Sequence, residues 1–152
     1  MNILQIVPSF EVGGAETMCV GLCLELRKLG HSVTAVSLSA AQSKLTRDLT
    51  EAGVELRLLG KGPGMDLSCV SRLRAVIREV RPQVIHTHLH ALKYAALALG
   101  GGKIPILHTV HNQADAEAVK LDQLIARYLF HSGKAIPVAL SVEIQASVVA
   151  LY

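Results

Sequence analysis

Five of the seven histidines fall in two short segments, His86-Thr87-His88-Leu89-His90 and His108-Thr109-Val110-His111-Asn112. Imidazole titrates near neutrality, so such groups can donate, accept or relay protons and can ligate metals. His86 and His88 stand two residues apart, which places both on one side of an extended strand. His108 or His111 would be the third ligand of a metal site. No carboxylate stands beside them and the pattern H-E-x-x-H is absent, so a metal centre is not expected. The plainer reading makes one of these histidines a buried, hydrogen-bonded residue and another the neighbour of a helix N-cap.

A third segment, Pro8 to Glu16, carries the adjacent pair Gly13-Gly14 between an apolar run and a helical pattern. Without a Cβ, both glycines let a ligand approach the backbone. The helix that follows aims its unpaired N–H groups at the same place. Glu16 sits in the first helical turn, where a carboxylate suits the positive end of the dipole. The dinucleotide fingerprint G-x-G-x-x-G is missing, and no acidic residue follows the second apolar run where a ribose would need one. An ordinary strand-to-helix turn remains the plainer reading of the glycine pair.

These segments need a scaffold, and the apolar pattern supplies one. Asn2 to Val7, His31 to Leu38, Val54 to Leu58, a run from Val84, Ile104 to Val110 and Ala135 to Leu140 read as six strands. Between them lie helical patterns. The first shows Met18, Leu22, Leu26 and Leu29 on one face and stops at Gly30. Lys44 to Ala52 closes at Gly53. Asp66 caps a helix to about Val80 with Leu67, Val70, Leu73 and Ile77 on one face. Leu89 to Leu99, Asp115 to about Phe130 and Val142 to Tyr152 complete the set. Alternating strands and helices predict an α/β, Rossmann-like, doubly wound parallel sheet with helices on both faces. Ligands of such sheets bind at the carboxyl ends of the strands, where all three polar segments fall.

The 152 residues are one domain's length, 51% hydrophobic and 18% charged, enough to bury a core. Two Phe, three Tyr and no Trp leave little for base stacking, so no nucleic-acid partner is expected. Net charge is +3. No run is long enough to span a bilayer, and the first residues lack the basic region of a signal peptide. Cys19 and Cys23, four apart inside a helical pattern, read as small core residues, and the odd count of three cysteines fits a reducing, cytoplasmic setting. Arg72, Arg74, Arg78 and Arg81 form a basic run that reads as a solvated helix face or as one suited to anionic headgroups.

Taken together and in order, the segments resemble family 4 glycosyltransferases. Gly13-Gly14-Ala15-Glu16 resembles that family's GGAE loop. Val84-Ile85-His86-Thr87-His88 resembles its vIHtH strand, His108 to Asn112 its xTvHd/HN segment, and Val138 to Glu143 its vavSe strand. The resemblance implies a GT-B enzyme, of which residues 1–152 are the N-terminal, acceptor-side domain. The donor-binding C-terminal domain would be absent from this chain, as is its Glu-x7-Glu signature.

The same resemblance implies a retaining transferase that moves a sugar from a nucleotide-sugar donor to a glycan or lipid-linked acceptor. Gly13 and Gly14 would approach the donor diphosphate and the acceptor, and Glu16 would support that loop or meet the acceptor. His86, His88 and Asn112 would line the binding site, and His111 would be the catalytic histidine beside the transferred sugar. Neither a cofactor nor a metal is implied. The isolated chain is expected to be inactive. A non-catalytic binding or assembly module that pairs with a separate donor-binding chain is the alternative. Homodimerisation through the open sheet edge and peripheral contact with the inner face of a membrane are further expectations.

Overall fold

The computed structural model describes residues 1–11, 13–112 and 120–152. The strands are β1 (Asn2–Val7), β2 (Ser32–Ser37), β3 (Glu55–Leu58), β4 (Val84–His88), β5 (Ile106–Val110) and β6 (Ala135–Ala139). The helices are α1 (Gly14–Lys28), α2 (Lys44–Glu51), α3 (Leu67–Val80), α4 (Leu92–Leu99), α5 (Lys120–His131) and α6 (Val142–Leu151). The start expected for α5 at Asp115 lies outside the described residues.

All six strands pair in parallel, in the order β3-β2-β1-β4-β5-β6. Chain order reverses between β1 and β4, the switch point at whose carboxyl edge open sheets of this kind bind ligands. Alternation along each strand sends successive side chains to opposite faces. Ile3, Val7, Val33 and Ala35 meet Cys19, Val20 and Cys23 of α1 and Leu45 and Leu49 of α2 on one face. Leu4, Ile6, Val36, Ile85 and Ile106 meet α3, α4 and α5 on the other. The sheet is therefore doubly wound, as its alternating pattern predicts.

Local chemistry fixes the ends of the elements. The Ser43 hydroxyl accepts from the Leu45 and Thr46 N–H groups, and the Thr46 hydroxyl accepts from the Ser43 N–H, a full capping box for α2. Asp66 caps α3 through the Cys69 N–H at 3.0 Å. Its carboxyl is held well below the usual range by the Ser68 hydroxyl first, then by the N–H groups of Gly62 and Cys69.

Two helix faces differ from expectation. In α1 the buried residues are Cys19, Val20 and Cys23, while Met18 and Leu22 are half-buried and Leu29 is 72% exposed. The face is turned by about one residue, roughly 100°, because the small cysteines let α1 approach the sheet where larger side chains would hold it off. Leu29 is already the C-cap. In α3, Cys69 and Val76 join Val70, Leu73 and Ile77 in the core, whereas Leu67 is exposed at the first helical position.

The predicted helix from Leu89 begins instead as a 3-10 turn, Leu89–Ala91, before α4. Leu89 has φ 51, a left-handed conformation that costs a leucine about 1–2 kcal/mol. This strained turn directly follows His88.

Candidate active site

The switch point between β1 and β4 is furnished by three strands. Gln5 of β1 pairs in register with His86 of β4, and His88 pairs with Thr109 of β5, so all four side chains share the α1 side of the sheet. His86 and His88 lie with ring centroids 4.3 Å apart. His86 Nε2 is 2.8 Å from the Thr109 hydroxyl. His88 Nε2 is 3.1 Å from Gln5 Oε1, and His88 Nδ1 is 3.0 Å from His111 Nε2.

These distances define a proton arrangement. Gln5 Oε1 can only accept, so His88 Nε2 carries hydrogen and donates it. The neutral His88 ring then offers a lone pair at Nδ1, which accepts from the Nε2–H of His111. Neutral His111 in turn carries its lone pair on Nδ1. The strand residues Gln5 and His88 thereby set both the orientation and the tautomer of a residue that lies just past the end of β5.

Burial keeps the chain neutral. It pushes the His86 pKa down to about 4, aided by the nearby His111. It pushes His88 down to about 2, with His86, His111 and His108 adding repulsion. His111, half-buried at the rim, is also lowered by burial. On the opposite side of the sheet His108 is pushed down to about 3, again by burial first. Its Nδ1 donates to the Thr87 hydroxyl at 2.9 Å, and that hydroxyl donates to the Leu107 carbonyl at 3.2 Å.

The glycine loop stands at the neighbouring strand end. Gly13 is the N-cap of α1 in extended backbone, and its carbonyl accepts the first helical bond from Thr17 N–H at 3.0 Å. A Cβ at Gly13 would collide with the Glu16 carboxylate. Gly13 thus makes room for Glu16 to fold back over the helix start, where its charge suits the dipole. At Gly14 the space a Cβ would fill is open. Asn112 follows His111 and is exposed.

Of the expected site residues, the structure joins His86, His88 and His111 in one network. It sets Gly13, Gly14 and Glu16 on the adjacent loop of the same edge. Both histidines of the β4 pair are buried and hydrogen-bonded, and His88 also directly precedes the 3-10 turn. Gln5 and Thr109 complete the polar set on this side, Thr87 pairs with His108 on the other, and none of the three was singled out from the sequence. The available signal was Gln5 itself, the one polar residue inside the run Ile3 to Val7. Among the described residues no three His, Cys, Asp or Glu side chains are grouped so as to hold a metal ion.

The glycine loop after β1 and the histidines at the switch point lie where open, doubly wound parallel sheets bind their ligands. Comparison with known proteins supplies the family. A family model described as Glycosyltransferase Family 4 matches residues 12–141. The chain belongs to glycosyltransferase family 4.

Solved structures agree in fold. HepE (Alr3699) of Anabaena, crystallised with UDP, superposes with a TM-score of 0.79 at 17% identity, over 99% of this chain and 41% of that one. A glycosyltransferase from Rickettsia africae gives 0.60 at 15% identity, over 91% and 42%. MurG of Acinetobacter baumannii gives 0.61 at 13%, over 82% and 38%. The chain therefore spans about two fifths of the length of these structures. No curated protein matches the sequence.

Proposed function

We propose that the chain is the N-terminal, acceptor-side half of a retaining glycosyltransferase that uses a nucleotide-sugar donor and a glycan or lipid-linked acceptor. The observation that carries this reading is the Gln5–His88–His111 relay at the β1/β4 switch point of a family 4 fold. HepE has been crystallised with UDP and with UDP-glucose, which supports a donor of that kind here.

In this reading Gly13 and Gly14 admit the donor diphosphate to the start of α1, whose free N–H groups favour the charge leaving with the nucleotide. Glu16 shapes that loop. His111 meets the transferred sugar, orienting a hydroxyl and helping to stabilise positive charge at the anomeric centre. His86 and His88 act behind it as binding-site walls, and Asn112 flanks it. A C-terminal donor-binding domain supplies the remaining contacts, and the chain without it is inactive.

The lipid-linked branch has its own support. Leu97 of α4 and Tyr128 of α5 are exposed and line an apolar cavity of about 580 Å³ that Lys103 and Lys134 also help line, and Leu121 and Leu124 of α5 are exposed as well. That surface replaces the arginine run as the face proposed for peripheral membrane contact. Arg72 bonds to Ser68, Asp66 and the Gly60 carbonyl, and Arg74 to the carbonyls of Leu97 and Ala98 at the end of α4. Among the described residues no helix is long and apolar enough to cross a membrane.

The test uses the protein carrying its C-terminal domain. Binding of UDP-glucose, followed by NMR of the product's anomeric configuration, should give transfer with retention. His111→Ala should lower kcat by about 100-fold or more, as for other groups that stabilise developing charge. Inverted product would overturn the mechanism. Absence of any nucleotide-sugar binding would overturn the reading as a whole and favour an assembly module.

A further inference from the structure

The carboxyl edge also holds a cavity of about 530 Å³ on the α3/α4 side of the sheet, mostly apolar but carrying basic side chains. Pro8, Leu38 and Met65 give it an apolar floor, and Lys61, His90 and Lys93 bring nitrogen-bearing side chains to its wall. Among the described residues no carboxylate lines it. Two acids that bond to its lining residues, Asp66 and Asp122, are turned to other work. Asp66 is spent on the α3 cap, Ser68 and Arg72. Asp122 grips Lys93 Nζ at 2.8 and 2.9 Å and stands 3.7 Å from His90 Nδ1. Lys61 has no ion pair among the described residues. Its Nζ donates to the Gly62 carbonyl at 2.8 Å and lies 5.8 Å from the centre of the Tyr94 ring. Among the described residues Lys61 and Lys93 are set against Asp122 alone, which leaves one positive charge uncompensated.

The loop that carries Lys61 is built rather than loose. Lys61 N–H donates to the Leu38 carbonyl at 2.7 Å, tying the loop to the end of β2. Buried Tyr94 clamps it from α4. Its hydroxyl donates to the Gly64 carbonyl and accepts the Asp66 N–H, both at 3.2 Å. Gly60 and Gly64 take positive φ, 63 and 64, which lets the loop turn twice within five residues. A cation on a pinned backbone, beside an apolar floor and away from bulk carboxylates, is a preorganised anion site.

We propose that this cavity binds an anionic group, phosphate or carboxylate, on the sugar acceptor, with Lys61 as its main contact and Lys93 and His90 forming the opposite wall. The word acceptor rests on the glycosyltransferase reading; the anion site itself does not. The site lies over the ends of β1, β2 and β3 on the face opposite the Gln5–His88 relay. An acceptor anchored there would have its anionic end held apart from the histidines.

The experiment is a ¹⁵N–¹H NMR titration of the protein with its C-terminal domain, first saturated with UDP so that the diphosphate site is filled. Methyl phosphate, methyl glucuronide and neutral methyl glucoside are then added separately. Shifts at residues 61–65 and 90–94 with methyl phosphate alone identify a phosphorylated acceptor, and shifts with methyl glucuronide alone a carboxylated one. Lys61→Gln should weaken the bound anion by about tenfold, the usual scale for losing a charged hydrogen bond. Lys61→Arg should retain it, and Lys28→Gln on exposed α1 should have no effect. Equal binding of methyl glucoside, or an affinity untouched by Lys61→Gln, overturns the proposal. So does displacement of UDP by methyl phosphate. Failure of UDP to bind at all counts against the glycosyltransferase reading, while the anion titration still decides this site.

Discussion

The two faces of the one sheet are built on different terms. Toward α3, α4 and α5, strand residues Leu4, Ile6, Ile85 and Ile106 sit in a continuous apolar core, and the polar groups among them, such as Thr87 and His108, are paired. Toward α1 and α2 the sheet starts apolar at Ile3, Val7, Val33 and Ala35. It then turns polar at Gln5, His86, His88 and Thr109. Farther out, Leu107 and Val138 are half-buried and Ile136 is 52% exposed. The buried side-chain atoms without partners among the described residues, Gln5 Nε2 and Ser37 Oγ, both belong to this face.

The contrast teaches where stability was given up. An unpaired buried polar atom costs about 1–3 kcal/mol. Buried imidazoles contribute packing but must stay neutral. A fold that needed only to be stable would carry aliphatic residues at these positions, as β2 does at Val33 and Ala35. The polar face is the one that ends at His111.

Acidification should have the largest effect and should load the polar face, with His86 and His88, more than the apolar one, which carries His108 alone of the three. The histidine pKa values are depressed on folding, to about 4, 2 and 3 for His86, His88 and His108. Between roughly pH 6.5, the ordinary value, and those depressed values, the unfolded chain binds protons that the folded chain does not. Stability should therefore fall as pH drops through that window, by up to about 1.4 kcal/mol per pH unit for each histidine. Urea denaturation at pH 8, 6 and 5 measures this; a flat profile would mean that the imidazoles charge without unfolding.

Next in size is Leu73→Ala on the apolar face. Leu73 is fully buried in α3, and truncation should cost about 3 kcal/mol at every pH. A loss that grew with acidity would break the separation of the two faces.

Gln5→Leu probes the polar face directly. It removes the acceptor for His88 but also the orphaned Nε2, so the net stability cost should be about 1 kcal/mol. Histidine ¹⁵N shifts should nevertheless show His88 and His111 changing tautomer. Unchanged shifts would mean that Gln5 does not set the relay.

The smallest effect should come from Ser43→Ala at the α2 cap, about 1 kcal/mol or less by thermal denaturation, with the histidine tautomers unmoved.

Much of this was readable along the chain. The apolar runs gave six strands, and Asp66 stands where a helix start requires it. The two-residue spacing of His86 and His88 already put both rings on one side. Cys19 and Cys23, four apart in a helical pattern, mark the buried side of α1, whereas the Met18, Leu22, Leu26 and Leu29 stripe lies about one residue off it. Gln5 was passed over because its partner lies 83 residues away. Lys61 and Tyr94 become neighbours only when the loop after β3 folds beneath α4.

Local pattern thus determined the elements, their ends and the family, because capping, periodicity and turn chemistry act over a few residues. Tertiary structure alone decided which polar groups meet. Strand order put β1 beside β4 and β4 beside β5, and only that adjacency brings Gln5, His88 and His111 within hydrogen-bonding distance. The same adjacency removes water from the rings, so that burial, which no single residue encodes, holds them neutral.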